Sequence, residues 1–202
     1  MTRIDFKKDL ARLYRPSARE AALVEVPAMH FLMVDGAGDP NKERSYQEAV
    51  EALFSVAYAV KFKVKNTLAI DYGVPPLEGL WWADDMAVFI SGDKSRWKWT
   101  MMIMQPEFVN AAMVRETIAE VKAKKNLPAL PLLRCALFNE GKCAQILHVG
   151  PFADEGPTIA KVHAFIASIG GKLAGKHHEI YLSDIRKADP AKWRTIIRQP
   201  LR

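Results

Sequence analysis

The stretch from Lys176 to Asp184 reads Lys-His-His-Glu-Ile-Tyr-Leu-Ser-Asp. Its side chains alternate as in a strand, with His178, Ile180 and Leu182 on one side and Glu179 and Tyr181 on the other. The first side suits a core. The second sets a carboxylate beside a phenol, which fits a pocket wall better, although an isolated glutamate in a strand ordinarily faces water. Leu77 to Trp82 repeats the combination: as a strand it groups Glu78, Leu80 and Trp82 against Gly79 and Trp81. A carboxylate among rings loses solvation, which raises its pKa toward neutrality and makes it a better general base. A hydroxyl such as that of Tyr181 can donate to an oxygen that gains charge during a reaction. Glu179 and Glu78 are therefore the residues to explain, with Trp82 and Tyr181 as their aromatic neighbours.

Other constellations have blander explanations. His177 and His178 are adjacent in a strand, point to opposite faces and cannot hold one metal together; no metal and no cofactor are expected. Asp35-Gly36-Ala37-Gly38-Asp39-Pro40 contains Gly-x-Gly, but Asn41 stands where a dinucleotide fingerprint needs its third glycine. There is no Gly-x-Ser-x-Gly elbow and no phosphate-binding loop. The run Arg96 to Gln105 alternates Trp97, Trp99, Met101 and Ile103 against Lys98, Thr100, Met102 and Met104, and reads as a central strand. Its methionines suit a core or an adaptable pocket. Cys135 and Cys143 flank a turn at Asn139-Glu140-Gly141. If Phe138 pairs with Lys142 across that hairpin, Cys143 faces Leu137, so both thiols are read as reduced.

With 202 residues, half of them hydrophobic, the chain can bury a substantial core. No apolar run approaches the roughly 18 residues of a membrane span, and the N-terminus lacks a signal-peptide core, so a cytoplasmic location is expected. The formal charge of +6 is concentrated at Lys61/Lys63/Lys65, Lys122/Lys124/Lys125 and the tail from Arg186. These clusters carry no interleaved aromatics and no recognition helix, so direct nucleic-acid binding is not expected.

In chain order, residues 1–28 read as an arm packed on the domain. Met29 to Val34 is a strand. Ser45 and Glu48 have capping-box spacing for a helix to about Lys63, with Tyr46, Val50, Leu53, Ala57 and Val60 on one face. Pro106 opens a second helix to about Lys125, striped by Ala111, Val114, Ile118 and Val121. Leu132 to Phe138 and Lys142 to Val149 form a hairpin. Pro157 begins a helix that Gly170-Gly171 ends, and Thr195 to Pro200 is the last strand.

The order strand, helix, strand, strand occurs twice. The expected fold is α+β: two pseudo-symmetric strand-helix-strand-strand modules forming an antiparallel sheet, with helices on one side and a ligand cleft between modules on the other. The boundaries would be residues 29–130, with an extra helix, and 131–202, within a single domain of 1–202. Ligand sites favour such junctions.

His177-His178-Glu179-Ile180-Tyr181-Leu182-Ser183-Asp184, with Arg186 and Thr195-Ile196-Ile197-Arg198-Gln199-Pro200, resembles the C-terminal signature of the GyrI-like small-molecule-binding family. Phe31 to Gly36, Pro76 to Trp82 and Trp97 to Pro106 resemble its stand-alone branch. The resemblance implies a lipophilic aromatic small molecule as partner, with Glu179 as the ligand-facing carboxylate and an aromatic wall from Tyr181 and from among Trp81, Trp82, Trp97 and Trp99. Alternation and the register of Glu78 favour Trp82, and Glu78, Trp82, Trp99, Met101 and Tyr181 are the ligand-binding candidates. Some stand-alone members are hydrolases that open the cyclopropane ring of DNA-alkylating genotoxins, which implies a cofactor-independent hydrolase with Glu179 as general base. The alternative it implies is a non-catalytic binder of lipophilic cations. A third, a protein inhibitor of a topoisomerase, rests on family analogy and basic charge.

Overall fold

A computed structural model describes residues 2–85, 88 and 92–202. The strands are β1 (Thr2–Ile4), β2 (Ala22–Val26), β3 (Met29–Ala37), β4 (Ile70–Tyr72), β5 (Leu77–Trp82), β6 (Lys98–Gln105), β7 (Arg134–Phe138), β8 (Gly141–Val149), β9 (His177–Tyr181) and β10 (Arg194–Pro200). The helices are α1 (Phe6–Asp9), α2 (Ala11–Tyr14), α3 (Arg44–Leu68), α4 (Ala111–Lys124) and α5 (Gly156–Ser168). Eight strands follow the order β2-β8-β10-β9-β5-β6-β3-β7, while β1 and β4 pair in parallel. The fold is α+β, and strand-helix-strand-strand recurs as β3-α3-β5-β6 and β8-α5-β9-β10. In both runs the closing strand lies between the other two. β8 and β9 are each antiparallel to β10, hence parallel to one another, which is why a helix must connect them.

Two compact units make up the chain. The first comprises Met1–Phe6, Met29–Pro75 and Trp81–Phe138; the second comprises Lys7–Ala28, Pro76–Leu80 and Asn139–Arg202.

In the first unit α3 packs on β3, β6 and α4 through Ala49, Leu53, Val56, Val60 and Val64. The expected Ser45–Glu48 capping box does not form. The helix starts two residues earlier, behind Glu43, and Glu48 pairs with the Arg44 guanidinium at 2.8 Å. The helix also continues to Leu68, where Ala69 closes it in the left-handed region at φ 56°. Pro106 does not open α4 either. Asn110 does, its side chain accepting from the Met113 N–H at 2.9 Å, and the buried stripe is Val114, Thr117 and Val121 rather than one begun by Ala111. Thr117 tolerates burial because its hydroxyl donates to the Met113 carbonyl.

Gly36 serves packing. It lies opposite Trp99 in the β3–β6 ladder, and a side chain there would run into the indole ring. Next to it, Asp35 accepts from Thr100 at 2.6 Å and from both terminal nitrogens of Arg134.

The expected hairpin between β7 and β8 is absent. β7 pairs with β3, whereas β8 pairs with β10 and β2. Alternation specifies which face is buried but not which strand is the neighbour. Ala22–Val26, read as part of an arm, is a sheet strand of the second unit. In that unit Ile197 of β10 lies opposite Glu179 of β9 and Ile146 of β8, so the three share a face. α5 covers this face, with Val162 and Ile166 packed among Ala144, Ile146 and Ile197. The opposite face carries Arg198, His178 and Gln145 in mutual register.

Gly36→Ala is expected to destabilise the protein by about 1–3 kcal/mol, the usual cost of overpacking a core. Urea titrations of both proteins measure it, and an unchanged midpoint would mean that the indole moves aside without penalty.

Candidate functional site

β9 places His177, Glu179 and Tyr181 on one face at two-residue spacing, and that face is the one under α5. This differs from the expectation that the groove opens away from the helices; the pairing of Glu179 with Ile197 decides it. The Glu179 carboxylate is ordered at both oxygens. His177 Nε2 donates to Oε1 at 3.1 Å and the Tyr181 hydroxyl to Oε2 at 2.7 Å. The side chains of His177 and Glu179 retain 13% and 16% of their exposure, so the group is reachable but largely dry.

Glu155 lies immediately before α5 and is only 4% exposed. Burial pushes the Glu179 pKa up, but hydrogen bonds and charge from His177, followed by Tyr181 and Glu155, outweigh it and hold the pKa below the usual carboxylate value. The rise toward neutrality expected from an aromatic setting is therefore not found, because the donors were not foreseeable from alternation. Glu179 is an anion at neutral pH.

Around it stand rings. Phe152 meets Tyr181 edge-on at 5.6 Å between centroids and lies 4.9 Å from the half-buried Trp193. The turn carrying Phe152 and Glu155 is tied down by His148, whose ring nitrogens contact the Thr158 hydroxyl at 2.9 Å and the Pro151 carbonyl at 3.2 Å. His163 of α5 has its pKa lowered by burial and by the neighbouring His177.

The other face of β9 holds a separate charged cluster. His178 Nδ1 lies 2.9 Å from Glu140 Oε1, and Arg198 contacts Glu140 Oε2 at 3.3 Å. His178 Nε2 lies 3.0 Å from Glu78 Oε2, a charge contact whose N–H direction misses the oxygen. Tyr14 donates to Glu78 Oε1 at 2.8 Å. Arg198 also donates to Gln145 and to the Leu13 carbonyl, and Gln145 donates to the Arg12 carbonyl. The ionic side chains here keep 0–1% of their exposure. Burial alone would neutralise His178, but Glu140 and Glu78 raise its pKa to about 9; His178 and Arg198 in turn hold Glu140 low. Tyr14 is pushed well up by burial and by Glu78.

Glu78 is thus enclosed at 0% exposure on the face opposite Glu179, and the two do not line one surface. Trp99 and Met101, at 1% and 0% exposure, are core residues of the first unit. There Trp81 joins the aromatic cluster, stacking on Tyr46 at 6.2 Å and meeting Trp97 edge-on. Trp82 is half-buried. A concavity of about 280 Å³ in the first unit is lined by Ala37, Arg96, Trp97 and Lys98 among others, and by none of these candidates. Among the described residues no group of three or more His, Cys, Asp or Glu is arranged to hold a metal. Both cysteines are free thiols.

Sequence reading missed Glu140, Glu155 and Arg198. Arg198 carried a signal: an arginine directly after the β-branched run Thr195-Ile196-Ile197 of a strand needs a buried partner.

The His178 cluster has a pH signature. A raised folded pKa contributes stability that is fully present below the unfolded value of 6.5 and lost as pH rises through about 9. Wild type should lose on the order of 3 kcal/mol relative to His178→Gln across that window. Urea midpoints at several pH values measure this, and parallel curves would mean that His178 is neutral when folded. Glu140→Ala, which removes the carboxylate facing the buried Arg198 and leaves His178 with Glu78, should cost about 3–5 kcal/mol.

Residues 20–202 match the GyrI-like small molecule binding domain. An uncharacterized conserved protein from Listeria innocua is 40% identical, with a TM-score of 0.91 over 98% of this chain and 100% of that one. Two hydrolase structures from Listeria innocua are 38% and 39% identical, with TM-scores of 0.85 and 0.87; they cover 98% and 100% of this chain and are themselves covered completely. No curated protein matches the sequence. These solved relatives superpose on the chain along essentially their full length, and the chain belongs to the GyrI-like family as a small-molecule-binding domain.

Proposed function

We propose that this protein is a cofactor-independent hydrolase that opens strained cyclopropane rings on lipophilic aromatic molecules, with Glu179 receiving the proton of the attacking water. The observation that carries the reading is the Glu179 carboxylate itself, oriented at both oxygens, largely dry and bordered by Tyr181 and Phe152. The identity of 38–39% to hydrolases supports the reaction class. The strained-ring substrate comes from the sequence resemblance.

In the reaction, a water held by Glu179 attacks a ring carbon. The new O–C bond forms as the ring C–C bond breaks, and its electron pair moves onto a conjugated carbonyl oxygen. The water's proton goes to Glu179. A base with a lowered pKa is weaker per encounter but is fully ionised at neutral pH, and His177 and Tyr181 fix its direction. Tyr181 is engaged with Glu179, so its role is to orient the base rather than to meet the substrate oxygen. Flat substrates would gain about 0.5–1.5 kcal/mol per ring pair beyond burial.

One observation favours a second reading. A carboxylate kept anionic beside rings also suits a lipophilic cation, with cation–π contacts of about 0.5–2 kcal/mol each. Incubation with aryl-fused cyclopropyl ketones and mass spectrometry of the products separates the two. Wild type should yield the product gained by one water, and Glu179→Gln should lower turnover by about 10²–10⁴ while tryptophan quenching on binding persists. Ligands recovered unchanged, with cation affinity lost in Glu179→Gln, would establish the binder instead.

A further inference from the structure

The outer face of α3 is not the polar surface that its inner face calls for. Ala49, Leu53, Val56, Val60 and Val64 turn toward the core of the first unit, so the opposite side of the helix should carry charged and polar residues. Instead Phe54, Tyr58 and Phe62 follow one another there at four-residue spacing. Tyr58 keeps 49% and Phe62 53% of its exposure, and Phe54 lies beside Tyr58 with 6.3 Å between ring centroids. Aromatic rings aligned along one exposed face form a contiguous patch, which a scatter of single apolar residues does not.

The charges that flank the patch indicate what covers it. Counted from Tyr58, Phe54 and Phe62 lie four residues away in opposite directions, and Glu51 and Lys65 lie seven residues away. Seven residues make close to two turns, so Glu51 and Lys65 share the face of Tyr58. A second α3 laid antiparallel on the first, with a twofold axis at Tyr58, therefore sets Phe54 against Phe62 of the second copy and Glu51 against its Lys65, each contact occurring twice. The charges are available for this. Among the described residues Glu51 is exposed and makes no ion pair within its own chain. Lys65 and Lys61 both face the one carboxylate of Asp71, at 3.0 and 3.5 Å, so two ammonium groups share a single anion at that end of the helix.

We propose that this face of α3 is a homodimer interface, isologous about Tyr58. A second copy presents the same spacing in reverse, which is what a twofold contact requires. Lys61, three residues from Tyr58, then meets Ser55 of the second copy, whose hydroxyl already accepts from Lys125 at 3.3 Å. That local excess of positive charge opposes association, and a contact built on one helix per chain falls below about 1,200 Å² in total, so the dimer is a transient one.

Sedimentation of the full-length protein from low to high micromolar concentration should show monomer giving way to dimer, and Tyr58→Glu should abolish the dimer throughout that range. Glu51→Lys and Lys65→Glu each set like charges together at both ends of the contact, so each alone should weaken the dimer by about 10-fold. Mixed in equal amounts they restore opposite charges at both ends, and a heterodimer of wild-type affinity should form. Lys65→Glu also gives up its contact with Asp71, but Glu51→Lys disturbs no ion pair of its own chain, so its effect does not pass through the fold; thermal melting of each variant checks this. A mass of one chain at every concentration would overturn the proposal and leave the face to water or to another protein. A dimer unchanged by Tyr58→Glu, or a mixture that associates no better than either variant alone, would place the contact elsewhere and overturn it too.

Discussion

The second unit depends on a buried balance of charge. His178 and Arg198 are opposed to Glu140 and Glu78 where almost no water reaches. Each ion would be costly alone, and the set is tolerable only because every member has a countercharge close by. The cluster also joins pieces distant in sequence. Tyr14 and the Leu13 carbonyl bring in the N-terminal segment, Glu78 the start of β5, Glu140 the approach to β8, and Arg198 the final strand. Directional contacts to a common centre fix these segments.

β9 separates two tasks by its pleat. Its odd-numbered residues His177, Glu179 and Tyr181 form a partly accessible anionic group beneath α5, while His178 and Ile180 are given over to the interior. The accessible carboxylate is held by donors from its own strand, at the two-residue spacing that puts side chains on one face. Its orientation therefore requires only that β9 be extended, and β10 ensures that.

Much of this was legible in the sequence. Alternation identified β9 and the split between Glu179 and His178, and apolar periodicity identified the three long helices. The repeated order of elements identified the α+β class. What could not be read was partnership. Asn139-Glu140-Gly141 has the composition of a hairpin turn, yet Glu140 points into the protein because His178 and Arg198 need an anion there. Glu78 looked like a companion of Glu179 by its place beside aromatic residues, but its face is set by the position of β5 in the sheet. The pKa of Glu179 was misjudged for the same reason. Burial is visible in a pattern, whereas a proton donor two residues away counts only once both side chains are seen to converge.

The adjacency of His178 and Glu179 also governs how β9 can align. A slip of one residue against β10 would send Glu179 into the interior and turn His178 outward. The interior would then hold three glutamates against a single arginine. A strand with only branched apolar residues at these positions could tolerate such an error during folding. Here electrostatic repulsion would penalise the misregistered chain, so the alternation of His178 and Glu179 selects the register of the sheet as well as the face of each side chain.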